Sequence, residues 1–253
     1  MYYYEIQYAI RAARTAGTIS LQYWNQGIEP EIKEDNSPVT IADRKAEQAI
    51  VEILSKEFPD DGFLGEEGAS RPTRSGRRWI IDPIDGTRDF VRGNRAWGAL
   101  IALEQDSEIV AGVVNLPAMG ELFSATRGGG AFCNDLPIHV SGINRVEDAV
   151  LSINGFNHLL DFPFADKVLE WARPFWSVRS MGGCLDAMMI ARGQADLWLE
   201  PVGKEWDFAP LKVIIEEAGG KFFNFNGKTS ISGGNCVACT PGLEAAAREL
   251  LSV

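Results

Sequence analysis

Histidine and cysteine are scarce in this 253-residue chain, and basic residues are outnumbered by acidic ones. Its two histidines, His139 and His158, exclude a histidine-rich metal site, and a Ser-His-Asp triad would have to use one of them, although neither stands beside a nucleophile-elbow motif. Four cysteines are too few for a disulfide scaffold at this size. Two of them spell Cys236-Val237-Ala238-Cys239, but between Gly234-Asn235 and Thr240-Pro241 this reads as a short strand with two packed thiols on opposite faces, rather than a redox pair or half a metal site. No apolar run approaches the 18 or so residues of a transmembrane helix. The start, Met1-Tyr2-Tyr3-Tyr4-Glu5 followed by Arg11 and Arg14, lacks the basic opening and apolar core of a secretory signal, so a cytoplasmic location is expected. With 24 Lys and Arg against 35 Asp and Glu, the net charge of −11 argues against a nucleic-acid polymer or an anionic membrane as partner. An acidic protein handling an anionic substrate needs local cations.

What is present is ordinary soluble globular composition, 45% apolar and 23% charged, in a chain long enough to bury a substantial core. Ile6, Ala9, Ile10, Ala13, Ala16, Ile19 and Tyr23 predict an amphipathic helix over 4–23. A second is predicted after Thr40, carried by Ala46, Ala49, Ile50, Ile53, Leu54 and Phe58 and ended by Pro59-Asp60-Asp61-Gly62. Between them lies a short extended piece at 31–33 and a loop. A brief strand is expected at 63–68, a mobile basic loop at 69–78, a hairpin of strands 96–103 and 109–116, and a further strand at 121–126. Gly128-Gly129-Gly130 lacks the Gly-Lys-Ser/Thr ending of a phosphate loop and is read as a turn between antiparallel strands. From Val150 onward shorter strands (150–153, 177–180, 195–199) alternate with helices (164–172, 183–191, 205–218). The change of character near residue 145 suggests two tightly packed subdomains, 1–145 and 146–253.

The chain is organised around Trp79-Ile80-Ile81-Asp82-Pro83-Ile84-Asp85-Gly86-Thr87. Its first three residues predict a buried strand. Pro83, without an N–H, is expected to end it, and Asp85-Gly86-Thr87 to turn the backbone into a helix or loop beginning near Thr87. An Asp-rich capping turn accounts for these letters taken alone. A strand end facing a helix N-terminus also collects backbone N–H groups that attract phosphate, and paired carboxylates suit Mg²⁺. Glu66 and Asp207 likewise stand at element ends, although Asp207 alone could simply cap the helix that Glu205 opens. Four converging carboxylates oppose folding unless divalent ions lie between them, as they do in two-metal phosphoryl chemistry.

Gly65-Glu66-Glu67, the Trp79 to Thr87 stretch, Trp206-Asp207 and Ala218-Gly219-Gly220 resemble the signature motifs of the inositol monophosphatase family, Mg²⁺-dependent and lithium-sensitive phosphatases, over nearly the whole chain. The resemblance implies an α/β (α+β) fold, the αβαβα layered sandwich of the inositol monophosphatase and fructose-1,6-bisphosphatase type, in a homodimer. It implies two or three Mg²⁺ ions and inhibition by Li⁺. Glu66, Asp82 and Asp85, with the carbonyl of Ile84, would hold the first ions, and Asp207 would join Asp82 and Asp85 at the second. Catalysis would rest on Glu66, on Thr87 orienting the water, and on Asp43, in Val39-Thr40-Ile41-Ala42-Asp43, hydrogen-bonding to Thr87. Phosphate would meet the N–H groups of Gly86 and Thr87 with Lys33 nearby, and Gly182, Gly183 and Glu200 would contact substrate.

The implied reaction is hydrolysis of a small phosphate monoester by direct in-line attack of metal-activated water. A nucleophilic aspartate within Asp82 to Asp85 is the competing chemistry. Segments 90–97 and 100–104 resemble histidinol-phosphate phosphatases of this family. Segment 179–183 resembles the inositol type in part, with Gly183-Cys184 in place of its usual Thr-Ala. Glu200 suits the ammonium of histidinol phosphate by charge and the hydroxyls of a polyol by hydrogen bonding. Histidinol phosphate is therefore the first expectation and inositol monophosphate the second, with 3′-nucleotidase and fructose-1,6-bisphosphatase activities as family alternatives. A catalytically silent metal- or partner-binding protein is the reading of a different class.

Overall fold

The computed structural model describes residues 2–33 and 38–252. Helix α1 (Tyr3–Tyr23) buries Ile6 and the small side chains of Ala9, Ala12, Ala13 and Ala16, which bring its backbone close to a sheet. Strands β1 (Glu31–Ile32) and β2 (Pro38–Val39) pair antiparallel. Helix α2 (Ile41–Glu57) opens on a capping box: Ala42 N donates to Thr40 Oγ1 at 3.1 Å, and Thr40 N donates to Asp43 Oδ2 at 2.8 Å. None of the helices is long and apolar enough to cross a membrane, among the described residues.

Strands β3 (Gly62–Gly65), β4 (Ser70–Arg71), β5 (Arg77–Asp85), β6 (Gly98–Gln105), β7 (Glu108–Leu116), β8 (Glu121–Thr126), β9 (Gly130–Cys133) and β10 (Leu136–Ile138) form one sheet in the order β10-β9-β8-β7-β6-β5-β3-β4. The expected hairpin is β6-β7. Asp106 and Ser107, both at positive φ (53° and 64°), close it as a two-residue turn whose twist matches the strands. The glycine triplet turns β8 into antiparallel β9, as its composition suggests.

Two expectations need correction. Strand β5 does not end at Pro83 but runs through it to Asp85, although helix α3 (Thr87–Val91) begins where expected. Between Asp82 and Asp85 the register against β6 slips, because these residues face Leu100 and Gly98, one step closer together. The proline sits in this bulge, where no ladder N–H is required, and Ile84 N donates to Asp82 Oδ1 at 3.0 Å instead. The 69–78 segment, expected as a mobile loop, is anchored. Its strand β4 pairs with β3, and buried Asp61 accepts hydrogen bonds from Ser75 Oγ (2.7 Å), Arg77 Nε (3.0 Å) and Trp79 Nε1 (3.0 Å).

The second sheet contains β11 (Val150–Ile153), β12 (Ser177–Arg179), β13 (Leu197–Glu200), β14 (Lys221–Phe223) and β15 (Cys236–Cys239), ordered β12-β11-β13-β15-β14, with the first three parallel. The remaining helices are α4 (Phe156–Leu159), α5 (Ala165–Ala172), α6 (Gly183–Ala191), α7 (Glu205–Glu217) and α8 (Glu244–Leu251). Helices α6 and α7 lie between the sheets: Met188, Ile190, Phe208 and Ile214 share one core with Ile80, Leu100 and Phe123 of the first sheet and with Trp198 and Ala238 of the second. Helices α1 and α2 cover the outer face of the first sheet, against Trp79, Ile81 and Ile101. Helices α5 and α8 cover the outer face of the second, against Leu151, Leu199 and Val237. The layers read αβαβα, the sandwich the motifs imply. Cys236 belongs to the central core and Cys239 to the outer one, so the C-x-x-C pair is two thiols packed on opposite faces of β15.

Candidate active site

The site is built at the bulge in β5. Ile80 faces the central helices, whereas Trp79 and Ile81 face α1 and α2. Alternation carries Asp82 inward with Ile80 and would carry residue 84 inward after it. The extra residue of the bulge reverses this: Ile84 packs outward with Ala42, Phe90 and Trp97, and Asp85 takes the inward place beside Asp82. Asp207, in the first turn of α7, meets them from the central layer. Oxygens of Asp82, Asp85 and Asp207 lie within 4.8 Å of one another. Asp207 does cap its helix, its Oδ2 accepting from Lys204 N at 2.7 Å, and capping and convergence occur together.

Two glycines permit the approach of neighbouring backbone. Gly86 has φ 83°, and a Cβ there would lie 2.6 Å from the Ala96 carbonyl oxygen. At Gly183, φ 27°, a Cβ would lie 2.7 Å from Asp85 Oδ2. Its absence lets the start of α6 settle onto that carboxylate, and Cys184 N donates to the same oxygen at 2.9 Å. Asp186 holds the preceding turn by accepting from Gly182 N at 2.8 Å and Met181 N at 3.1 Å.

The acidities record the crowding. Asp82 is pushed well above the usual carboxylate range by burial and then by the charges of Glu66, Asp85 and Asp207. Asp85 is raised by burial, against the opposing hydrogen bonds from Cys184. Asp207 is raised to about 7 by burial and then by Asp85. Glu200, the last residue of β13, is buried and raised to about 8, again by burial first. The ion pairs among the described residues leave Asp82, Asp85 and Asp207 without a basic partner; Lys33 Nζ sits instead on Glu66 Oε1 (2.7 Å) and Glu67 Oε1 (2.6 Å). An all-oxygen donor set with uncompensated charge fits a hard divalent cation. It opens on a cleft of about 560 Å³.

Residues 3–252 match the inositol monophosphatase family. The chain belongs to that family. A histidinol-phosphatase of Chlorobaculum parvum is 41% identical over 231 residues, spanning 91% of this chain and 89% of its own. An inositol-1-monophosphatase of Mesorhizobium japonicum is 37% identical over 250 residues, spanning 96% and 92%. Among solved structures, the extragenic suppressor protein SuhB of Bartonella henselae superposes with a TM-score of 0.89 at 33% identity, covering 97% of each chain. The names of the first two agree with the phosphoric monoester hydrolase read from the motifs.

In this inositol monophosphatase-family chain the cleft wall contains Glu66, Asp82, Ile84, Asp85, Gly86, Thr87, Gly182, Gly183, Glu200 and Asp207. The other two residues named from the sequence stand behind the wall. Lys33 holds Glu66, and Asp43 backs Thr87, whose Oγ1 donates to the Ile84 carbonyl at 3.1 Å and lies 3.4 Å from Asp43 Oδ1. Asn154 and Ser180 also line the cleft and were not identified from the sequence. A signal for them existed. Asn154 follows the predicted strand 150–153 and Ser180 closes the predicted strand 177–180, as Glu200 stands at the end of 195–199, and carboxyl ends of parallel strands are where α/β sheets bind ligands.

Proposed function

We propose that the protein is a Mg²⁺-dependent phosphatase of small phosphate monoesters, with histidinol phosphate as the first substrate and inositol monophosphate as the second. The observation that carries this reading is the cluster of Asp82, Asp85 and Asp207 beside Thr87, in one cleft with Glu200. Glu66, Asp82, Asp85, Asp207 and the Ile84 carbonyl would hold two or three ions. When bound, Mg²⁺ lowers the pKa of a water and neutralises charge on the phosphoryl group.

The chain's own groups do the rest. Because the Thr87 hydroxyl donates toward Ile84 O and Asp43, its lone pairs are left to accept a hydrogen bond from the attacking water. The N–H groups of Gly86 and Thr87 receive phosphate oxygens. Lys33 balances the charge of Glu66. Water attacks phosphorus in line as the bond to the leaving oxygen breaks, with no phosphoenzyme. Ile84 N holds one oxygen of Asp82 and Cys184 N one of Asp85, and metal ligation would occupy the others, leaving neither carboxylate free to attack. Glu200 meets the leaving group, and its charge suits the ammonium of histidinol phosphate, the substrate class in the name of the Chlorobaculum relative.

The same reading includes inhibition by Li⁺, a cytoplasmic homodimer, and subdomains 1–145 and 146–253, a division supported by the first sheet ending at Ile138 and the second beginning at Val150. The test is phosphate release with Mg²⁺ from histidinol phosphate, myo-inositol 1-phosphate, 3′-phosphoadenosine 5′-phosphate and fructose 1,6-bisphosphate, with Asp85→Asn alongside. One preferred ester and an inactive variant are expected, and isotopically labelled water should enter phosphate directly in a single turnover. Trapping of a phosphorylated aspartate, or full activity in Asp85→Asn, would overturn the reading.

A further inference from the structure

The carboxyl ends of β12, β11 and β13 lie side by side and parallel on one wall of the cleft. The register sets Ile153 opposite Leu199, so Asn154 and Glu200 come next to each other, and Asn154 N donates to the Leu199 carbonyl at 3.1 Å. One side chain from each strand end then joins a single row. Ser180 Oγ donates to Asn154 Oδ1 at 2.9 Å, and Asn154 Nδ2 donates to Glu200 Oε2 at 3.1 Å. The serine occupies the amide oxygen, so the amide must turn its N–H₂ toward the carboxylate.

This row orients the Glu200 carboxyl without supplying a counter-charge. Asn154 and Glu200 are only 7% and 8% exposed, and no ion pair among the described residues involves Glu200. Its carboxylate has a neutral amide and the backbone at Val202 for partners. A buried carboxylate with no cation is costly unless a ligand brings one. An ammonium supplies both the charge and the hydrogen-bond donors, and the resulting charge-assisted bond is roughly twice as strong as that from a neutral hydroxyl.

We propose that Ser180 and Asn154 position the Glu200 carboxylate to receive a cationic amine on the leaving group, so that this row of strand ends selects amine-bearing phosphate monoesters over their hydroxyl analogues. The inference rests on the phosphatase reading and adds to it two positioning residues that act through Glu200. Without Asn154 the carboxylate loses its orienting donor, and the preference for the amine falls.

The test compares kcat/KM of the Mg²⁺-loaded enzyme for histidinol phosphate and for the analogue with a hydroxyl in place of the amine, in wild type, Asn154→Leu and Ser180→Ala. The wild type is expected to prefer the amine, Asn154→Leu to lower the ratio of the two by about tenfold, chiefly through KM for the amine ester, and Ser180→Ala to lower it by about threefold. Ser180→Ala removes only the hydroxyl that fixes the Asn154 amide's orientation and keeps the test usable if Asn154→Leu does not fold. A wild type without preference, or variants in which both esters decline in equal proportion, would overturn the proposal while leaving the phosphatase reading intact. If neither ester is hydrolysed, that reading of the substrate fails, and calorimetric binding of free histidinol decides the row separately: about tenfold weaker binding to Asn154→Leu supports it, and equal or absent binding overturns it.

Discussion

Replacing Asp207 by asparagine should stabilise the protein without metal and weaken it with metal. The carboxyl oxygens of Asp82, Asp85 and Asp207 lie within 4.8 Å of one another, and two full charges at that separation repel by about 3 kcal/mol at an effective dielectric near 20. The fold responds by retaining a proton, with Asp207 raised to about 7 against an ordinary value of 3.8. The sign follows from linkage. Between about pH 4 and pH 7 the native state binds a proton that the unfolded chain has released, so stability falls as pH rises through this window and levels off above it. A shift of this size is worth at most about 4 kcal/mol, and solvent reaching the half-buried carboxylate reduces it to on the order of 2 kcal/mol. The asparagine side chain would keep an oxygen to accept from Lys204 N but would carry no charge. In chelator-treated protein at pH 8 the Asp207→Asn variant should therefore melt about 4–8 °C higher than wild type, with the difference shrinking toward pH 4. Added Mg²⁺ should raise the wild-type midpoint and do little for the variant, reversing their order. Calorimetric scans at pH 5 and pH 8, with and without Mg²⁺, measure all of these. A metal-free variant no more stable than wild type at pH 8, or one stabilised equally by Mg²⁺, would refute the reasoning.

Other substitutions test the same construction. Gly183→Ala places a methyl 2.7 Å from Asp85 Oδ2 at a residue with φ 27°, and should weaken Mg²⁺ binding measured by calorimetry by about tenfold or more, because the Cys184 N–H can no longer reach the carboxylate unstrained. Thr87→Val retains the shape but removes the hydroxyl beside Asp43 and Ile84 O, and steady-state kinetics should show kcat reduced by about a hundredfold with KM little changed. Gly112→Ala, whose Cβ would fall 2.5 Å from Val213 Cγ1 and 2.9 Å from the Pro210 carbonyl oxygen, should cost about 1–3 kcal/mol in urea unfolding by pushing α7 off the sheet. Glu217→Ala leaves the N–H groups of Gly128 and Gly130, each 2.8 Å from that carboxylate, without their acceptor and should cost about 1 kcal/mol by the same assay.

Much of the fold is legible because its signals are local. Helices α1 and α2 follow from a 3.6-residue stripe, and the hairpin β6-β7 from two apolar runs about a short polar turn. Elements not read from the sequence are short: β2, β4, β10, β14, α4 and the C-terminal α8. β10 is held by its hairpin with β9, and α8 by neighbours more distant in the chain, its Ala247 and Leu250 packing with Val237 and Leu199. Pro83 shows the opposite difficulty. Its local meaning is an end to the strand, and its structural role is to occupy a bulge that exists only because β6 runs beside it.

The sequence by itself determined the residue types of the site and the family to which they belong, because Glu66, Asp82, Asp85, Thr87 and Asp207 sit in short contiguous motifs whose chemistry is carried by their letters. Only the tertiary structure decided which of them face one another. The bulge turns Asp85 onto the face of Asp82, and α7 delivers Asp207 from more than a hundred residues away because Gly112 leaves room for it on the sheet. The row from Ser180 through Asn154 to Glu200 depends on the parallel register of three strands far apart in the chain. Burial of the strand faces against the central and outer helices sets that register, and no one strand encodes which neighbour it will find.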